Sequence, residues 1–256
     1  MGVRELAPRR LDRLREMVLD HRAVRIDELC ERLRISPATA RRDLRLLESQ
    51  GEIRRVHGGA VSLGSRLEEP LFDDKASIAP REKQRIALAA LQLVRPDDTV
   101  FLDGGSTVLA LARLLRDRSR ITVVTNSLRA AQELAGRGPR LIVIGGELRR
   151  LSQTLVGPLT RLTLAELHVD KAFMGTIGLS LREGLTTTDP GEAYTKTLVM
   201  EQAREVIVLA DGSKVGQVSF ARAGGLAQVR TLITDRGVDR AFARALEKRG
   251  VRVVRV

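Results

Sequence analysis

From Thr99 onward, short apolar runs recur with a helical stretch between most of them, and this alternation constrains the chain more than any other feature. The runs occupy 99–103, 121–125, 141–144, 171–175, 206–211, 231–234 and 251–256. They are continuous rather than alternating, as expected of strands buried on both faces. Helical stretches at 82–93, 108–115, 128–135, 192–204 and 239–248 supply the crossovers that parallel strands require. The pattern predicts an α/β domain with a mostly parallel sheet covered on both faces.

In such a sheet, ligands bind beyond the carboxyl ends of the strands, so the residues after each run are the ones to inspect. They are polar and glycine-rich. The first run is followed by Asp103, Gly104, Gly105, Ser106 and Thr107, and the next by Thr125 and Asn126. Gly145 and Gly146 follow the third run, Gly175 and Thr176 the fourth, and Asp211-Gly212-Ser213-Lys214 the fifth. A strand-to-helix turn needs glycine and a capping hydroxyl for structural reasons alone. The convergence of several such loops on one edge is what points to a ligand. Free N–H groups at a helix start, helped by Ser106 and Thr107, can hold a phosphate. Neither a Walker loop nor the dinucleotide glycine pattern is present. Lys214 is the favoured cation for that phosphate and Lys196 the second, while Asp103, Asn126 and Glu192 are placed to bind hydroxyls.

Residues 1–62 read as a separate module, 63–81 as a linker broken by Gly64, Pro70 and Pro80, and 82–256 as the α/β domain. A first helix covers 8–21, and Asp27 is the expected N-cap of a second. Ser36 and Pro37 mark the start of a third. Ala40, Leu44 and Leu47 form its apolar stripe, and Arg41, Arg42 and Arg45 project elsewhere. Two short helices joined by a tight turn are a helix-turn-helix. Small residues at the start of the second helix, Ser36, Ala38 and Thr39, allow close approach to base edges in a major groove. A short hairpin over 52–61 would then carry Arg54, Arg55 and His57 to flanking phosphates. Charge agrees: the chain has a net charge of +12, and residues 32–57 hold seven basic against three acidic side chains.

Ser36-Pro37-Ala38-Thr39-Ala40-Arg41-Arg42-Asp43-Leu44, then Leu47-Glu48, Gly51 and Arg55-Val56-His57-Gly58-Gly59-Ala60, resemble the winged helix-turn-helix signature of the DeoR family of bacterial transcription regulators. Ala40 stands where that family more often has isoleucine. The strand-end loops, with 169–175, Gly184-Leu185-Thr186-Thr187 and Thr234-Asp235, resemble the family's C-terminal sensor domain. The resemblance implies a sensor fold similar to ribose 5-phosphate isomerase, a phosphorylated sugar as effector, and commonly an inducer that releases a repressor from its operator.

The remaining features limit the alternatives. Cys30 is the single cysteine and reads as a small buried apolar residue, which removes any intramolecular disulfide. Three dispersed histidines offer no metal-binding spacing, so neither a metal nor a cofactor is expected. No apolar run reaches the roughly 18 residues of a membrane span, and the N-terminus lacks the pattern of a secretory signal; the expectation is a soluble cytoplasmic protein. An isomerase-like enzyme is the first alternative, although Met174-Gly175-Thr176-Ile177-Gly178-Leu179 carries no carboxylate to act as base. The second is a DNA-binding protein whose α/β domain only oligomerises. Paired half-sites would require a homodimer or a higher even oligomer on double-stranded DNA.

Overall fold

The computed structural model describes residues 7–21, 23–49, 53–56, 58–62, 69 and 71–256. Its contacts divide into two units, 1–79 and 80–256. In the first, α1 (Ala7–His21) is followed by β1 (Ala23–Arg25), α2 (Ile26–Leu33), α3 (Pro37–Ser49), β2 (Ile53–Val56), β3 (Gly59–Ser62) and α4 (Phe72–Ser77). The strands form an antiparallel sheet in the order β1-β3-β2. Ala40, Leu44 and Leu47 of α3 are buried together with Leu14, Val18, Leu29, Leu33 and Ile53. Each buried leucine contributes about 1.5–3 kcal/mol relative to exposure, enough to fix how α3 lies on the other helices.

Three expectations are corrected in this unit. The second helix starts at Ile26 after Arg25, not behind an Asp27 cap. The reason is β1, unseen in the sequence: its last residue pairs with Gly59 and the next N–H, that of Ile26, donates to Gly58 O at 2.8 Å. Asp27 instead lies in the first helical turn, where a carboxylate favours the helix dipole, and pairs with Arg25 at 2.9 Å. Cys30 is only partly buried, packed at the margin of the core, and burial and Asp27 push its thiol up. The supposed linker contains α4, whose first turn holds Asp73 and Asp74. Lys75 of α4 forms a buried ion pair with Glu69. Gly51, part of the family signature, lies outside the described residues.

The second unit runs α5 (Pro80–Leu91), β4 (Thr99–Leu102), α6 (Ser106–Leu114), β5 (Thr122–Thr125), α7 (Leu128–Leu134), β6 (Arg140–Val143), β7 (Glu147–Arg149), β8 (Thr154–Val156), α8 (Thr160–Leu164) and β9 (Val169–Met174). It continues with β10 (Gly178–Ser180), β11 (Gly184–Thr187), α9 (Pro190–Gln202), β12 (Ala203–Leu209), β13 (Ala221–Gly224), β14 (Val229–Thr234), α10 (Arg240–Glu247) and β15 (Arg252–Arg255). All seven apolar runs enter one parallel sheet, ordered β15-β14-β12-β9-β4-β5-β6. Phe101, Ala172, Met174, Val206, Val208 and Leu232 form its core with Val199 and Leu246 from the helices.

The strand order reverses between β4 and β9. From β4 the chain proceeds outward through β5 and β6, then returns to the other side of β4 and proceeds outward again. Right-handed crossovers in opposite directions place α6 and α7 on one face and α9 and α10 on the other. The result is a crevice at the carboxyl ends of β4 and β9, where the two sets of loops part. Two small sheets were not read from the sequence: the β7-β8 hairpin and the antiparallel trio β10-β11-β13. Their strands of three or four residues are too short to show a period.

Candidate functional site

The α3 surface has two opposed stripes. One, Ala40, Asp43, Leu44 and Leu47, is buried; the other, Ala38, Arg41, Arg42 and Arg45, is exposed at the same helical spacing. The side chains of Arg41, Arg42 and Arg45 make no hydrogen bond or ion pair among the described residues. The start of the helix is capped as expected: Thr39 N–H donates to Ser36 Oγ at 3.2 Å, and the two hydroxyls lie 2.9 Å apart. Asp43, on the buried stripe, accepts from Arg10 Nε at 2.6 Å and from Arg10 Nη2 at 3.2 Å. This bidentate pair ties α1 to α3 behind the exposed arginines.

The wing differs from expectation at Arg55. Its N–H and its Nε both donate to the Glu48 carboxylate, at 2.9 and 2.7 Å, so the guanidinium is anchored to the end of α3. Arg54 lies on β2, and His57 falls outside the described residues.

In the second unit the crevice is organised by a buried charge network. Asp103 follows β4, and its Oδ2 accepts from Gly175 N–H at 2.8 Å and from Lys196 Nζ. Lys196, on α9, also donates to Gly175 O at 3.1 Å and lies 3.5 Å from Glu192 Oε1. These groups bridge the reversal point directly. Burial alone would lower the Lys196 pKa, but Asp103 and Glu192 more than offset it and hold the ammonium above the ordinary lysine value. The α9 helix begins behind Asp189, which caps it by accepting from Glu192 N–H at 2.8 Å. Arg149 of β7 completes the network: Nη2 donates to Thr188 Oγ1 at 3.0 Å, Nη1 lies 3.4 Å from Glu192 Oε2 and Nε lies 3.6 Å from Asp189 Oδ2.

Gly104, Gly105, Ser106 and Thr107 form the turn into α6 beside this network. A side chain at Gly104 would meet Thr154 Cγ2 at 2.2 Å, so the loop needs glycine because the β7-β8 hairpin lies against it. Thr125 is assigned differently from expectation. Its hydroxyl donates to Leu102 O at 2.6 Å and accepts from Ser127 N–H at 3.0 Å, so it joins β4 to the loop after β5. Asn126 Nδ2 donates to Leu155 O at 3.0 Å, while its buried Oδ1 has no hydrogen-bond partner among the described residues. Gly145 and Gly146 lead from β6 into the hairpin.

The two candidate cations, Lys214 and Lys196, lie on different elements. Lys214 lies in a single 3-10 turn, Gly212–Lys214, after β12. There it and Lys83 act on buried Asp211, whose carboxyl they hold below the usual range against the effect of burial. Lys196 is the cation between β4 and β9 because α9 starts at that reversal point. Arg149, Thr188 and Asp189 were missed. Arg149 followed by Arg150 reads as ordinary surface charge, and nothing local marks the hairpin that turns Arg149 inward.

The two units have separate matches. Residues 10–66 match the family model of the DeoR-like helix-turn-helix domain, and residues 78–236 that of the DeoR C terminal sensor domain. The chain belongs to the DeoR family. It is 36% identical over 249 residues, 97% of its length and 98% of the relative's, to the HTH-type transcriptional regulator GlpR of Haloferax volcanii. It is 35% identical over 230 residues, 88% of its length and 91% of the relative's, to the lactose phosphotransferase system repressor of Streptococcus mutans. Among solved structures, ribose 5-phosphate isomerase A from Methanocaldococcus jannaschii is similar over 52% of this chain and 53% of its own, at 24% identity and a TM-score of 0.39. DeoR-family membership makes this protein a DNA-binding transcriptional regulator, with the exposed stripe of α3 on its helix-turn-helix and the charged crevice in its sensor domain. No helix among the described residues is long and apolar enough to cross a membrane.

Proposed function

We propose that the protein represses carbohydrate-metabolism genes and that a phosphorylated sugar, bound in the sensor crevice, modulates its hold on the operator. The single observation that carries this reading is the Asp103–Lys196 contact across the β4/β9 reversal point, which joins the loops after β4 and β9 to α9 beside the N-terminus of α6. A relative named as the repressor of a lactose phosphotransferase system supports the carbohydrate assignment and the repressive sign. The phosphate rests on the N–H groups at the start of α6 with Ser106 and Thr107, and Lys214 contributes charge from the neighbouring loop. Asp103 and Glu192 accept hydrogen bonds from sugar hydroxyls.

On DNA, a homodimer or higher even oligomer in the cytoplasm places paired α3 helices in successive major grooves. Ala38 and Thr39 approach base edges; Arg41, Arg42 and Arg45 contact bases or phosphates; the wing supplies flanking contacts through Arg54 and His57. The effector acts by preferring one spacing of the paired modules, and a coupling of about 1–3 kcal/mol is sufficient. The test is fluorescence anisotropy of the full-length protein on DNA from upstream of its own and neighbouring genes, at fixed salt, with a panel of sugar phosphates. Salt is held constant because phosphate contacts make affinity strongly salt-dependent. Specific binding that one sugar phosphate weakens is the expected result. Specific binding that no sugar phosphate alters would leave the sensor unit a mere oligomerisation scaffold and end this reading.

A further inference from the structure

The sign of the crevice charges constrains which end of a sugar phosphate it receives. Asp103, Asp189 and Glu192 stand against Lys196 and Arg149, so the network carries one more negative than positive charge. A phosphate dianion placed among them would meet net repulsion. A chain of hydroxyls would find carboxylates to accept its hydrogen bonds and cations to donate to its oxygens. The network therefore suits the hydroxyl end, with the phosphate left to the α6 turn.

Arg149 reaches this network from the β7-β8 hairpin. The β7-β8 hairpin is bracketed by Gly146 at φ +156° and Gly157 at φ +90°, backbone angles that favour glycine. Along one edge it is fixed to the loop after β5. Leu155 N–H donates to Asn126 O at 2.8 Å, and Leu128 N–H donates to Gln153 O at 3.0 Å. On the α9 side the Arg149 guanidinium reaches Thr188, Asp189 and Glu192. Between these two attachments, Thr154 presses on Gly104 in the turn that leads into α6.

We infer that Arg149 is the specificity-determining residue of the effector site, carried on a glycine-bracketed hairpin and directed at the hydroxyl end of a phosphorylated sugar. This rests on the function proposed above. The planar guanidinium, hydrogen-bonded to Thr188 and set beside the Asp189 and Glu192 carboxylates, offers donors in fixed directions, so it reads hydroxyl arrangement rather than charge alone. A lysine at this position keeps the charge and loses that geometry.

The experiment is calorimetric titration of the full-length protein and its Arg149→Ala and Arg149→Lys variants. The probes are fructose 6-phosphate, ribose 5-phosphate, glycerol 3-phosphate and inorganic phosphate. Hydrogen bonds to a charged group are worth about 1.5–3 kcal/mol, so Arg149→Ala should weaken the tightest-binding sugar phosphate by about tenfold or more. Inorganic phosphate should change by less than about twofold, since no bond to Arg149 is lost. Arg149→Lys should show an intermediate loss of the same selectivity, and it decides the matter alone if the alanine variant does not fold. An unchanged ratio of sugar phosphate to phosphate affinity, or an equal loss for both, overturns the inference while the sensing function stands. Failure of the unsubstituted protein to bind any sugar phosphate removes both together.

Discussion

The two charged regions of this protein are built in opposite ways. On α3, Arg41, Arg42 and Arg45 are exposed and carry no ion pair among the described residues, so their field extends into solvent. In the crevice, Lys196 and Asp103 are 3% and 2% exposed and each is committed to the other. A polyanion as long as DNA rewards accessible charge through counterion release, with little need for fixed geometry at each phosphate. A small polar effector rewards groups that are already oriented and desolvated. The difference separates what each region should do when charge is removed: the first should lose affinity without losing stability, and the second should lose stability first.

The largest expected effect is therefore in the crevice. Asp103→Ala leaves the Lys196 ammonium buried without its main partner, and breaking such a pair costs about 3–5 kcal/mol. Unfolding in urea followed by circular dichroism suits a chain without tryptophan. Adding Lys196→Met to Asp103→Ala should restore most of the loss, because the uncompensated charge is gone. An Asp103→Ala protein within about 1 kcal/mol of the original would mean that the network is more hydrated than its burial indicates. Acid gives a second view of the same region. Asp211 is held below the usual carboxylate range by Lys214 and Lys83. Its stabilising contribution is thus complete above about pH 4 and is lost as the pH falls through its lowered folded value. Lys214→Ala should shrink that contribution and make the acid transition less steep; an unchanged transition would exclude Asp211 as its source.

On the α3 surface the effect should be smaller and of another kind. Arg42→Ala should weaken operator binding by about 1–3 kcal/mol if it contacts a base, or reduce the salt slope by about one if it contacts phosphate. Its unfolding midpoint should stay within about 0.5 kcal/mol of the original, the usual range for a surface substitution. Comparable losses of stability and affinity would erase the contrast between the two regions.

The same contrast explains which residues were legible in the sequence. The apolar stripe of Ala40, Leu44 and Leu47 and the seven sheet runs follow from local periodicity, and the glycine-rich turns mark the strand ends. Pairings between distant residues leave no such trace. Arg10 and Asp43 are 33 residues apart, and Lys196 and Asp103 are 93 apart. Lys214, beside Gly212 and Ser213, resembled a phosphate-binding cation more closely than Lys196 did, because the sequence could not reveal that α9 starts at the β4/β9 reversal. Arg149 was hidden for a related reason. Only the hairpin turns it inward, and strands of three residues carry no period.

The wing offers the smallest and most discriminating effect, since Arg55 shares features of both regions. It is a basic residue next to the reading helix, yet both its N–H and its guanidinium are held by Glu48, and the two side chains are 38% and 36% exposed. An exposed pair of this kind contributes about 0.2–1 kcal/mol, so Glu48→Gln should barely alter stability. Removing the carboxylate frees Arg55 toward the DNA backbone and deletes a negative charge near the phosphates. Operator affinity at low salt should therefore rise by a few fold, and its salt slope should steepen by up to about one phosphate contact. A fall in affinity would show that Glu48 serves mainly to aim the wing, with Arg55 as a spacer rather than a contact. Repeating the measurement with Arg55→Ala separates the two: a spacer that is lost should reduce affinity equally at all salt concentrations, whereas a lost contact should flatten the slope.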